Sequence, residues 1–377
     1  MRYALILCVL FAATTANAQW EIQSAPTTAD LRGIHALGKG IAWASGSDGT
    51  VLRTTDDGAH WQLCPTPPGA EKLDFRGIQA FDEKTAIVMS TGKGPLSRLY
   101  KTTDACQTWK LVFTNPDPDG SWDAIRFRFD WVLNPTPNYG SGVLIGDPEN
   151  GNYVIYTTEN RGDTWHPWGP LEVAKPARAQ SGESIFSASN SAAISPGVNG
   201  LFSFVTGGCG GSRLFFAQLH SPFDASTWWA FTISNLHISS NATSGAFSVA
   251  ARFPARGLFA DLMVVGGDYA KPESPGTAVY IPNRVPIRNL FSNPATRSEH
   301  PPHGFRSAVA YSPTTNTWIT VGPNGTDIST DDGRNWRALR PTPNEPADAD
   351  RDWNALSLPF VVGPHGRIGK LRPEALK

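Results

Sequence analysis

Four segments of this chain share one eight-residue pattern. They are Thr54-Thr-Asp-Asp-Gly-Ala-His-Trp61, Thr102-Thr-Asp-Ala-Cys-Gln-Thr-Trp109, Thr158-Glu-Asn-Arg-Gly-Asp-Thr-Trp165 and Ser329-Thr-Asp-Asp-Gly-Arg-Asn-Trp336. All fit Ser/Thr-x-Asp/Asn-x-(Gly)-x-x-Trp. A hydroxyl and a carboxylate or amide two residues apart can close a tight turn through local side chain–backbone hydrogen bonds, and glycine supplies a positive φ. On this reading Asp56, Asp104, Asn160 and Asp331 stabilise turns. Trp61, Trp109, Trp165 and Trp336 pack between neighbouring sheets, as core and not as a sugar-stacking platform.

The spacing sets the architecture. The segments start at 54, 102, 158 and 329, and a degenerate copy, Ser221-Pro-Phe-Asp-Ala-Ser-Thr-Trp228, falls in the long gap. A repeat of roughly 40–55 residues with four short strands is the signature of a β-propeller. Each period opens on an apolar strand, most plainly Phe75-Arg-Gly-Ile-Gln-Ala80, Trp122-Asp-Ala-Ile-Arg-Phe127 and Phe305-Arg-Ser-Ala-Val-Ala310. A second strand ends at glycine, as in Gly142-Val-Leu-Ile-Gly146, and a Gly-x-x-Gly hairpin such as Gly46-Ser-Asp-Gly49 often follows. Opening strands near Leu31, Phe75, Trp122, Ile185, Phe247, Phe305 and Trp353 make seven blades. The last has only three strands, and Gln19-Trp-Glu-Ile-Gln23 is an orphan strand that would complete it and remove an exposed edge. The fold class expected is all-β: a single seven-bladed propeller over 19–373, with a short tail at 374–377.

Residues 1–18 read as a cleavable secretory signal: Arg2, an apolar run over Leu5–Ala13, and the small-residue site Ala16-Asn-Ala18. The run is too short to span a bilayer, which needs ~20 apolar residues. Export to a periplasm or beyond the cell is therefore expected. Three cysteines remain after cleavage. In an oxidising compartment Cys64 and Cys106 can bridge, because Cys106 holds the glycine position of the second turn and Cys64 follows the first turn's Trp61; Cys209 is left over as a turn residue or a reactive thiol. A net charge of −1 gives no global attraction for nucleic acid. A monomer is expected.

The run Ala42-Trp-Ala-Ser-Gly-Ser-Asp-Gly-Thr-Val-Leu-Arg-Thr-Thr-Asp-Asp-Gly-Ala-His-Trp61, followed by Phe75-Arg-Gly-Ile-Gln-Ala-Phe81, resembles the photosystem II stability/assembly factor-like propellers, within the Asp-box, sialidase-like superfamily. The likeness covers the mature chain and is strongest in blades 1, 2, 6 and 7. It implies a scaffold that binds a protein or other macromolecular partner without catalysis or cofactor, and it implies that arginines at the head of the inner strands form the partner patch. The motifs are specific for fold and poorly specific for activity.

Arg32, Arg76 and Arg306 occupy that position in blades 1, 2 and 6, with Asn354 in blade 7 and Asp123 in blade 3. Ring closure makes these residues a contiguous crescent. Guanidinium groups so arranged can hold a carboxylate-rich partner through bidentate hydrogen bonds. The competing reading is that each arginine pairs with carbonyls or a neighbouring acid and staples the blades. Arg126 lies two residues further into its strand and falls outside the crescent.

A hydrolase on the same scaffold is the alternative. Glycoside hydrolysis needs two carboxyl groups about 5–10 Å apart, and Asp123, Glu183 and Asp268 lie near inner strands or the turns after them. Sialidase chemistry fits poorly, since no Arg-Ile-Pro motif and no tyrosine–glutamate pair accompany the arginines. Gly-x-Ser-x-Gly, P-loop and His-Glu-x-x-His patterns are missing, and His300-Pro-Pro-His303 lacks further metal ligands. A scaffold predicts a positive crescent; a hydrolase predicts an inward carboxylate pair.

Overall fold

The computed structural model describes residues 19–127, 140–168, 177–195, 201–218, 230–233, 236–238, 240–253, 260–282, 295–339 and 348–376. The proposed signal segment 1–18, the degenerate turn at 221–228 and the Trp228-Trp229 pair lie outside them. Strands fall into seven antiparallel blades around one axis. Blade 1 runs Leu31–Gly38, Ile41–Gly46, Val51–Thr54 and Gln62–Leu63. The inner strands of blades 2 and 3 are Asp74–Ala80 and Trp122–Phe127. Those of blades 5, 6 and 7 are Ser244–Arg252, Ala308–Ser312 and Ala355–Ser357.

The ring closes between the two chain ends. Trp20–Gln23 pairs antiparallel with Ile368–Leu371, with Trp20 opposite Leu371 and Gln23 opposite Ile368. The fourth strand of blade 7 therefore comes from Trp20–Gln23, which covers the edge that Ile368–Leu371 would otherwise expose. Trp20 fixes the closure. Its ring is buried, and its Nε1 donates to Thr326 Oγ1 at 3.0 Å and to Asp350 Oδ1 at 3.1 Å.

Side chains from adjacent sheets make a separate apolar cluster at the blade junctions. Leu31, Ile34 and Leu52 of blade 1 meet Phe360, Val362 and Ile368 of blade 7, while Trp43 and Val51 meet Phe75 and Ile78 of blade 2. The alternation of each strand puts one face on each neighbour, so every blade is buried on both sides. The four repeated turns lie on the outer side and clamp these junctions. In each, the first hydroxyl accepts from the backbone four residues on: Gly58 N, Cys106 N, Gly162 N and Gly333 N donate at 3.0–3.1 Å. The acid or amide accepts from the residue four further on, as His60 N to Asp56 Oδ1 at 2.9 Å. Trp61 then meets Phe360 edge-on, and Trp165 meets Phe127. Cys106 takes the glycine place of its turn with φ 63° and is bonded to Cys64, tying the second turn to the outer edge of blade 1.

Blade 4 departs from the expectation. Its inner strand is Ala193–Ile194, not a strand opening near Ile185. The preceding residues go into the channel instead. Asn190 Oδ1 accepts from Ile125 N at 2.9 Å in blade 3, and its Nδ2 donates to Ile78 O at 3.2 Å in blade 2. Ser189 donates to Ser307 O at 3.1 Å in blade 6, and the Ser191 and Ser248 hydroxyls meet at 2.7 Å. This Ser-Asn-Ser segment is a polar plug across the axis, and it satisfies backbone groups of four other blades.

Candidate functional site

Among the described residues two cavities flank the plug, one at each end of the inner strands. Arg32 lines the first and Ala36 the second; Arg76 and Gln79, Asp123 and Arg126, and Asn354 and Leu356 divide the same way. Two to four residues along a strand amount to about 7–13 Å, so the two cavities open on opposite faces of the disc.

The first cavity, about 440 Å³, contains the head of the inner strands. Arg32, Arg76, Asp123 and Asn354 all line it. Arg76 donates from Nε to Asp74 Oδ2 at 2.7 Å and from Nη1 to Ser187 O at 3.2 Å. Arg32 sits 3.9 Å from Asp30, and its Nε is buried without a hydrogen-bond partner. Both arginine side chains are about 30% exposed. Asn354 donates from Nδ2 to Leu31 O at 2.9 Å, which is a staple between blades 7 and 1.

Arg306 does not join them. It precedes its strand, is fully buried, and turns away to Asp327, donating from Nε at 2.8 Å and from Nη2 to the same oxygen. Asn324 Oδ1 and Phe305 O take its Nη1. His303 Nδ1 lies 2.9 Å from Asp327 Oδ1, which holds the imidazole above its ordinary pKa. Arg306 is therefore taken up inside its own blade, where a buried acid on the next-but-one strand neutralises it, while Asn354 is the staple between blades.

Acids complete the first cavity. Asp123 is buried, and desolvation, then the nearby Asp147 charge, push its carboxyl well above the usual range. Its Oδ2 has no hydrogen-bond partner. Asp147 also lines the cavity; burial raises it as well, while Ile185 N donates to its Oδ1 at 3.2 Å. The sequence reading did not single out Asp147. Its signal was the Gly146-Asp147 dipeptide closing a second strand, a pattern repeated at Gly267-Asp268. The other acids weighed lie elsewhere. Glu183 is buried against Arg213, whose Nε donates at 2.8 Å, and Asp268 accepts from Thr243 Oγ1 at 2.7 Å on the surface. The opposite wall is aromatic: Phe247 stacks on Phe186 at 4.1 Å, and Phe305 meets Phe247 edge-on.

Away from the cavity, Asp56 and Asp104 are held down to about 2 by hydrogen bonds within their own turns, Asp56 from His60 and Asp104 from Thr108. Cys209 is exposed and unbridged. Among the described residues no cluster of three or more His, Cys, Asp or Glu could hold a metal, and no helix is long and apolar enough to cross a membrane.

No protein-family model matches the chain, and no curated protein matches its sequence. Solved structures do resemble it. YCF48 bound to a D1 peptide superposes with a TM-score of 0.58 at 16% identity, covering 94% of this chain and 96% of that one. YCF48 from Cyanidioschyzon merolae gives 0.56 at 16% identity, over 95% and 100%. The chain is a seven-bladed propeller of the YCF48 shape. A GH74 xyloglucanase from Xanthomonas campestris also superposes, with a TM-score of 0.56 at 13% identity; this chain covers 53% of that enzyme's length. At these identities the likeness is one of fold.

Proposed function

We propose that this chain is an exported, non-catalytic propeller that captures a carboxylate-bearing segment of a partner protein in the cavity at the head of its inner strands. The observation that carries the reading is the convergence of Arg32 and Arg76 there, with Arg32 Nε left without a hydrogen-bond partner and Arg76 bonded through Nε and Nη1. Burial, then the nearby Asp147 charge, favours the neutral form of Asp123. Arg32 and Arg76 also face Asp30 and Asp74, so what the cavity offers an anionic group is the guanidinium N–H donors those acids leave over, at bidentate distance. The aromatic wall offers an apolar surface for the flanking side chain. Support by analogy comes from YCF48, solved with a D1 peptide on the same fold. Export rests on the character of residues 1–18.

The test is capture from the host's exported proteins by wild type and by Arg32→Ala/Arg76→Ala, with circular dichroism confirming that both fold. A partner retained by wild type and lost by the double variant supports the reading; equal retention rejects it. Arg306→Ala is unsuited as a binding probe, since it strips the charge partner from Asp327.

A glycan-hydrolysing role is the second reading, favoured by one observation: Asp123 and Asp147 share the cavity, and burial raises both. A protonated acid beside a second carboxyl group is the general-acid arrangement of glycosidases. Release of reducing sugar from soluble β-glucans by wild type, lost in Asp123→Asn, would establish it.

A further inference from the structure

The cavity on the opposite face has a composition of its own. It measures about 540 Å³, and Arg126, His35 and Gln79 are its main polar groups. Arg126 uses one of its five donors, Nε to Ala193 O at 2.6 Å. No aspartate or glutamate lines the cavity, and no ion pair neutralises Arg126 among the described residues. His35 adds a second donor. Ala80 N donates to its Nδ1 at 3.1 Å, which leaves the proton on Nε2, beside the Gln79 side-chain amide at 3.3 Å. Burial, then the charge of Arg126, lowers His35 to about 4, so the ring stays neutral. Guanidinium, imidazole and amide donors therefore gather here, and a half-buried cation stands without a counter-charge among the described residues. That arrangement is costly for a purely structural site, because desolvating an unpaired ion is unfavourable. The rest of the wall is apolar, with Leu37, Phe127, Ile194, Phe253 and Leu358 around the rim. The Ser189–Ser191 plug closes the floor, so the cavity is blind.

We propose that this second cavity binds a small amphiphilic monocarboxylate, with the carboxylate on Arg126 and His35 Nε2–H and an aliphatic or aromatic body against the apolar wall. The volume lies within the range of small-molecule pockets, and a single anion supplies the missing charge and accepts from the donors Arg126 leaves over. This inference is independent of the partner-binding reading, which concerns the other face.

Isothermal titration of the mature chain with octanoate, and separately with 1-octanol, tests it. Octanoate should bind at least about tenfold more tightly than octanol, whose apolar body is the same length but uncharged. Arg126→Met should weaken octanoate at least about tenfold and leave octanol nearly unchanged. Ala310→Phe, which fills the cavity without touching Arg126, should abolish both. Failure of octanoate to bind, equal affinity for the two probes, or undiminished octanoate binding by folded Arg126→Met would each overturn the proposal. Should Arg126→Met not fold, the octanoate–octanol comparison on wild type and the Ala310→Phe variant still decide.

Discussion

Arg76 donates through Nε to Asp74 at 2.7 Å, and this pair aims the guanidinium along the head of the inner strands while Nη1 reaches Ser187 across the channel. Both side chains are about 30% exposed. Such a pair contributes about 0.2–1 kcal/mol to stability, so its main consequence is orientation. Asp74→Asn should leave the thermal midpoint within about 2 °C of wild type and weaken partner capture several-fold. Differential scanning calorimetry beside a quantitative pulldown checks both halves.

Arg306 and Asp327 form the opposite case, a buried pair in which neither group meets solvent. Removing one partner of a buried pair costs about 3–5 kcal/mol, and here it leaves Asp327 with His303 as its remaining cationic neighbour. Arg306→Ala should lower urea stability by that amount. Partner capture per folded molecule should be unchanged.

Asp350 carries a pH dependence. It accepts from Thr326 N at 2.9 Å and Trp20 Nε1 at 3.1 Å, and burial raises its carboxyl from 3.8 to about 6. The folded state thus holds this proton more tightly than the unfolded chain does. The contribution is fully present below about pH 4 and lost as pH rises through 6, on the order of 3 kcal/mol. Asp350→Asn should flatten that part of the profile and stabilise the ring closure near pH 8. Urea melts at pH 5 and pH 8 read it directly.

The Cys64–Cys106 bridge closes a separation of 42 residues. Chain-entropy arguments assign such a loop about 4 kcal/mol, with typical measured values of about 2–4. The Cys64→Ala/Cys106→Ala variant should lose that much stability and keep the same fold by circular dichroism.

Asn190 is the keystone of the plug. Asn190→Leu would orphan Ile125 N and Ile78 O in the channel, at about 1–3 kcal/mol for each unsatisfied group. A loss of roughly 2–5 kcal/mol is expected by urea denaturation.

The ring was legible in the sequence because its determinants are local. A hydroxyl, an acid and a glycine at fixed spacing make a turn wherever they occur, and the unpaired run Gln19–Gln23 had one sheet short of a strand to join. The site was legible only in part. Phe75-Arg-Gly and Phe305-Arg-Ser look alike in one dimension, yet Arg76 lies inside its strand at a bulge while Arg306 precedes the strand that starts at Ala308. Asp327 and His303 decide the fate of Arg306, and they sit on elements that the repeat pattern does not align with it. The plug escaped detection for a related reason. Ser189, Asn190 and Ser191 have no periodicity, and their partners are backbone groups of other blades. Asp147 and the Phe186–Phe247 stack reach the cavity from hairpins and loops whose register follows from ring geometry rather than from any motif.

The central claim is that the partner seats on the face holding Arg32 and Arg76. Tyr269 borders that cavity and Phe253 the opposite one, and both rings are about half exposed. A photo-crosslinking amino acid placed at each position in turn, in chains exposed to the host's exported proteins, reports the face directly. A partner adduct from position 269 that disappears with Arg32→Ala/Arg76→Ala, and none from position 253, is the predicted result. An adduct from position 253 alone, or one from 269 that survives loss of both arginines, would contradict it.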